Sequence, residues 1–152
     1  MTSPERTDVA ARTTGTFRRA WDDLAPVGRA TDGGYRRFAW TAEDHVLREW
    51  FAGEASARGL DLVTDRAGNQ WAWWGDPDAT PGVVTGSHLD SVPGGGAFDG
   101  PLGVVSGFAA LLDVQLDEGR DPTQRLVVAA QLRRVAAGCA QGLGHAHPIG
   151  VA

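Results

Sequence analysis

Residues 81–114 read PGVVTGSHLDSVPGGGAFDGPLGVVSGFAALLDV, and residues 125–130 read RLVVAA. The opening of this stretch is a short β-branched run ending at Ser87 and His88, which predicts a strand. Gly94, Gly95 and Gly96 then mark a loop, after which Val104, Val105, Phe108, Leu111 and Leu112 recur three and four residues apart. That spacing predicts a helix over about 102–114 with one packed side, and Gly103 and Gly107 permit another backbone to approach it closely. RLVVAA, an unbroken apolar run behind a polar loop, predicts the next strand. Strand, helix, strand in that order is the parallel crossover unit, so the expected fold class is α/β, a sheet covered by helices.

Toward the N-terminus, LDLVTDRAGNQWAWW (60–74) reads as a short strand through Leu62 and Val63, a turn at Gly68 and Asn69, and an outgoing strand, together a hairpin at the sheet edge. Trp71, Trp73 and Trp74 suggest sugar stacking at first sight. Strand neighbours point to opposite faces, however, and the rings are better read as packing against a helix or strand. Upstream, Val46, Leu47, Trp50 and Phe51 form a helical stripe that Gly59 ends. Thr41 is placed to cap this helix by accepting from the Asp44 amide. In FRRAWDDLAPVG (17–28), Phe17, Trp21 and Leu24 share the face of a short first helix that stops before Pro26, and TDGGYRRF (31–38) is a glycine turn. Residues 1–12 are polar and are expected to be disordered.

The chain has 152 residues, enough for one modest domain, with 42% hydrophobic and 22% charged residues. Fourteen Lys and Arg against nineteen Asp and Glu leave a net charge of −5, which offers no basic field for nucleic acid. Cys139 is the one cysteine, so no intrachain disulfide is expected. No long apolar run at the N-terminus suggests a signal or membrane span, and a cytoplasmic location without membrane partners is expected. After Asp121 the chain has no acidic residue, while Arg125, Arg133, Arg134, His145 and His147 all follow. QLRRVAAGCAQGLGHAHPIGVA (131–152) holds neither a sustained helical stripe nor strand alternation, and is expected to be an aberrant or poorly ordered tail.

Chemistry concentrates in GSHLDSVPGGGAFDG (86–100), at the C-terminal end of a predicted strand, where open α/β sheets place ligands. His88 offers a neutral nitrogen ligand, Asp99 a carboxylate able to bridge two cations, and Asp90 an acceptor that orients the other nitrogen of His88. A metal site needs three or four protein ligands, so these residues form a partial site. The triple glycine lacks the lysine and hydroxyl of a phosphate-binding loop. Asp76, Asp78 and His45 read as surface residues, and His145 and His147 stand in glycine-rich text without a rigid frame.

From about Phe17 to Ala130 the sequence resembles the N-terminal part of the hydantoinase/carbamoylase family, the N-carbamoyl-L-amino-acid hydrolases and allantoate amidohydrolases, related to dinuclear zinc aminoacylases and carboxypeptidases. The resemblance rests on Arg37 to Asp44 (RFAWTAED), Gly59-Leu60, Gly68-Asn69, Gly86 to Pro93 (GSHLDSVP), and Gly95 with Phe98 to Val104 (FDGPLGV). It implies a partial mixed-sheet, helix-covered catalytic domain of the zinc-peptidase-like type over 13–130, truncated, with the lid and dimerisation domain absent. It further implies His88 and Asp99 as metal ligands, Asp99 as the bridge, Asp90 as the supporting catalytic carboxylate, and two divalent ions (zinc, manganese, cobalt or nickel). The complete enzyme would be a homodimer that hydrolyses a carbamoyl or ureido amide of a small N-substituted acid through a metal-activated water. The family's Glu-Glu-Gly motif, holding the general base, is missing: Gln131-Leu132-Arg133-Arg134 follow Ala130, and arginine neither accepts the proton nor binds a cation. A shift of reading frame near Gln131 would account for that loss, and this chain is expected to be inactive alone. Two other readings stay open: an aminoacylase or aminopeptidase relative, and a noncatalytic α/β remnant that packs on another chain.

Overall fold

The computed structural model describes residues 3–75, 83–116 and 126–131. Its elements run α1 (Ser3–Leu24), α2 (Ala42–Ala57), β1 (Asp61–Thr64), β2 (Gln70–Trp74), β3 (Val83–His88), α3 (Pro101–Leu116) and β4 (Leu126–Gln131). The strands form one mixed sheet in the order β1-β2-β4-β3. β1 and β2 are the expected antiparallel hairpin, with Leu62 opposite Ala72. β3 and β4 are the expected parallel pair, with Val83 opposite Leu126 and His88 opposite Gln131. β4 also pairs with β2, antiparallel, so the last strand in sequence occupies the middle of the sheet. Its apolar run suits that position: Val127, Val128, Ala129 and Ala130 are all buried.

The helices share one core. Leu24 and Ala20 of α1, Leu47, Phe51 and Ala55 of α2, Val104, Val105, Phe108 and Leu111 of α3, and Ala72, Val128 and Ala130 of the sheet form a single apolar cluster. Phe108 is its aromatic centre, 5.1 Å from the Phe51 ring and edge-on to Trp50 at 6.0 Å. The glycines of α3 act as read from the sequence. A Cβ on Gly103 would stand 2.7 Å from the Ser87 Cβ, and one on Gly107 3.2 Å from Thr85 and Val128 side-chain carbons, so helix and strands meet almost backbone to backbone. Trp74 packs against the cluster, while the Trp71 indole nitrogen donates to Asp65.

Several local expectations are corrected. Residues 3–12 are helical, because α1 runs unbroken from Ser3 to Leu24 and not from the Phe17 stripe alone. Pro4 lies in the first turn, where the missing N–H costs nothing, and the Thr13 hydroxyl donates to Asp113, joining α1 to α3. Gln131, expected to open the tail, completes β4. Thr41 occupies the N-cap position of α2, but its hydroxyl makes no cap bond; it donates to the Phe38 carbonyl at 2.8 Å. Asp44 instead accepts the Trp40 N–H at 3.0 Å, across a turn in which Trp40 adopts φ 69°. Val46 is exposed, and the buried stripe of α2 is Asp44, Leu47, Phe51 and Ala55. Asp76, Asp78, Arg125, Cys139, His145, His147 and the tail from 132 on lie outside the described residues. No described helix is long and apolar enough to cross a membrane.

Candidate functional site

β3 delivers His88 to the C-terminal end of the parallel pair, and the loop that follows carries Asp90 and Asp99 before α3 begins at Pro101. The structure brings all three residues of the sequence reading together. The His88 Nδ1 lies 2.9 Å from the Asp90 main-chain carbonyl and 3.3 Å from its carboxylate Oδ1. A carbonyl oxygen only accepts, so Nδ1 carries the proton, and in the neutral ring Nε2 holds the lone pair. The orienting partner is thus the Asp90 backbone as much as its side chain. On the other side of the ring, Nε2 lies 3.6 Å from Asp99 Oδ1.

That second spacing is informative. It is too long for a hydrogen bond, and it sets two electron-pair donors against each other. Two ligands about 2.0–2.1 Å from one tetrahedral cation stand roughly 3.3 Å apart, so His88 and Asp99 suit a shared divalent ion. The His88 side chain is 10% exposed and that of Asp99 39%, which leaves the carboxylate open to solvent and the imidazole enclosed. Gly100, at φ 89°, packs directly on the imidazole: a Cβ there would stand 2.5 Å from His88 Cε1 and Nδ1. Among the described residues, no group of three or more His, Cys, Asp or Glu side chains is arranged to hold a metal. The donor set is therefore compatible with a cation but incomplete.

Residues that sequence reading passed over hold this loop in place. The 28–37 segment clasps it: Arg37 N–H donates to the Ser91 hydroxyl at 3.0 Å and Ser91 N–H to the Arg37 carbonyl at 2.8 Å. Tyr35 N–H donates to Gly95 O at 3.0 Å, and Gly94 N–H returns to Tyr35 O at 3.1 Å. A Cβ on Gly34 would stand 2.8 Å from the Gly94 Cα, so the glycines of both segments mark a close backbone approach. Glycines in TDGGYRRF and SVPGGG were the available signal. Arg37 is itself buried, its guanidinium 4.0 Å from the Tyr35 ring centre and donating to the Leu24 and Val27 carbonyls at the end of α1. Burial lowers its pKa, and the carbonyls at the helix end supply the negative potential that keeps the cation there. From α1, Trp21 stacks on Phe98 with ring centres 5.4 Å apart, and Phe17 stacks on Trp21 at 6.0 Å.

No family model matches the chain. Among curated relatives, the chain is 43% identical over 94 residues to the N-carbamoyl-L-amino acid amidohydrolase of Geobacillus stearothermophilus, covering 59% of this chain and 23% of that protein. It is 41% identical over 98 residues to the corresponding Rhizobium meliloti enzyme, covering 61% of this chain and 23% of the relative. Of solved structures, a hydantoinase/carbamoylase family amidase from Burkholderia ambifaria superposes with a TM-score of 0.67 at 34% identity, over 75% of this chain and 28% of that one. The chain thus spans about a quarter of the length of the relatives it matches.

Proposed function

Because the chain belongs to the hydantoinase/carbamoylase family of amidohydrolases, we propose that its 83–131 segment furnishes part of a metal-dependent site for hydrolysing the carbamoyl or ureido amide of small N-substituted acids. The substrate class we favour, N-carbamoyl-L-amino acids or allantoate-like ureido acids, is supported by the resemblance to the N-carbamoyl-L-amino acid amidohydrolases. One observation carries the reading: an imidazole whose Nδ1 is committed to the Asp90 carbonyl presents its Nε2 to the Asp99 carboxylate across 3.6 Å.

In this reading His88 and Asp99 would hold divalent cations, zinc, manganese, cobalt or nickel, with Asp99 the carboxylate the two ions would share. Asp90 is a positioning residue that fixes the His88 tautomer through its carbonyl and carboxylate. Such ions, when bound, polarise an amide carbonyl and lower the pKa of a coordinated water. Asp99 is the more solvent-open of the two side chains and His88 the more enclosed, so a substrate would approach from the Asp99 side. The general base is not supplied by the residues after Ala130, where Gln131, Leu132, Arg133 and Arg134 stand. We therefore expect the 152-residue chain to bind a cation weakly and not to turn over substrate alone.

Cobalt binding measured by equilibrium titration, together with product release from N-carbamoyl-L-amino acids, tests both halves. Weak cobalt binding should disappear in His88→Ala and Asp99→Asn without turnover in any variant. Binding indifferent to both substitutions would sink the site, and turnover abolished by His88→Ala would overturn the claim of inactivity. A noncatalytic α/β module packing on another chain is the second reading, favoured by the lack of a three-donor group among the described residues. It predicts no saturable cobalt binding in the same titration.

A further inference from the structure

Asp99 stands in a loop with little internal stiffness. Gly94, Gly95 and Gly96 precede it, Gly100 follows it, and each glycine enlarges the set of backbone states from which the working one must be selected. The upstream half is tied down by the Tyr35 bonds to Gly94 and Gly95. Around Asp99 itself, the backbone bond is the long one from its N–H to Gly96 O, 3.3 Å. The adjacent residue supplies a different kind of anchor. Phe98 lies nearly parallel to Trp21, with an interplanar angle of 16°, and Trp21 lies nearly parallel to Phe17 at 7°. Three rings therefore run in a ladder from α1 into the loop. Phe17 and Trp21 pack against the core, whereas Phe98 is 69% exposed.

That exposure separates Phe98 from an ordinary core residue. With most of its surface in water, its burial contributes little to the stability of the domain, and what it does provide is a fixed ring plane one peptide bond from Asp99. We propose that Trp21 and Phe98 are positioning residues: their stack holds the 97–100 turn so that the Asp99 carboxylate faces His88 Nε2. The function of α1 is then to place a ligand on the far side of the crossover loop. The proposal rests on the reading of Asp99 as a cation ligand.

The test compares wild type with Trp21→Leu, Phe98→Leu, the double variant and the conservative Trp21→Phe. Cobalt affinity is measured by competition with a coloured chelator, amide hydrogen exchange over 97–100 by mass spectrometry, and global stability by urea unfolding. Each leucine variant should weaken cobalt binding about three- to tenfold and speed exchange in the turn, the range expected from loss of one aromatic stack. The double variant should be no weaker than either single one, because both break the same contact, and Trp21→Phe should retain near wild-type affinity. Phe98→Leu, at an exposed position, should leave the urea midpoint nearly unchanged and so serves even if Trp21→Leu fails to fold. Unchanged exchange overturns the proposal, and so does faster exchange with unchanged affinity or additive losses in the double variant. A wild type that binds no cobalt would sink the ligand reading of Asp99, while the exchange comparison would still decide whether the stack holds the loop.

Discussion

A Cβ on Gly100 would meet His88 at Cε1, Nδ1 and the main-chain oxygen, each 2.5 Å away, on a backbone already at φ 89°. The obstacle is a buried ring and a backbone atom, neither of which can swing aside. Gly100→Ala should therefore destabilise the protein by about 2–4 kcal/mol, combining overpacking with a left-handed backbone. Urea unfolding measures that loss; a change below about 0.5 kcal/mol would show that the ring has room to move. His88, Asp90 and Asp99 were legible in the sequence because they share one short motif with its own glycine punctuation. Arg37, whose amide reaches Ser91 across 54 positions, was not, since nothing local to YRRF announces a buried guanidinium. The Trp21–Phe98 stack was hidden for the same reason: the pattern that puts Trp21 on the inner face of α1 does not say which loop will arrive opposite it.

At the scale of elements, the β1–β2 turn is held by one carboxylate. Asp65 accepts from the Ala67 amide at 2.8 Å, the Asn69 amide at 2.9 Å, the Asn69 side chain at 2.8 Å and the Trp71 indole at 3.3 Å. Burial pushes the Asp65 pKa up, but the bonds from Asn69, Trp71 and Ala67 together outweigh it and hold the pKa below the usual aspartate value. A depressed native pKa stabilises the fold above the unfolded-state value of about 3.9, and the benefit is lost as pH falls through the native value. Asp65→Ala should cost about 1–2 kcal/mol at pH 7, and the difference from wild type should shrink only below about pH 3.9. Urea midpoints across pH 2.5–7 would check this (about six points suffice), and a gap independent of pH would refute it. The hairpin was readable because Gly68, at φ 86°, and Asn69 are turn chemistry, and the crossover because its strand and helix periods differ. The first turns of α1 were not, since residues 3–12 lack an apolar period.

Across the whole molecule, both outer strands of the sheet carry exposed aliphatic side chains. Val83 and Val84 are 66% and 55% exposed on β3, whose outer side pairs with no described strand, and Leu62 and Val63 are 40% and 44% exposed on β1. Unblunted edges of this kind template pairing with other chains. The isolated chain should self-associate with rising concentration in sedimentation velocity, and Val84→Lys should reduce it; a single monomeric species at every concentration would count against an exposed edge. The sheet order has a further consequence for synthesis. β2 and β3 are joined in the sheet through β4, which is synthesised after both, so until residue 126 emerges the sheet exists as two half-built pieces. One is the β1–β2 hairpin, with which α2 packs, and the other is β3 with α3 and α1. A nascent chain halted before residue 126 lacks the strand that joins them in the sheet and is left with helix packing such as Phe51 and Trp50 on Phe108; the interval before that strand arrives, set by elongation, is when the apolar faces of both halves are most open to chaperones.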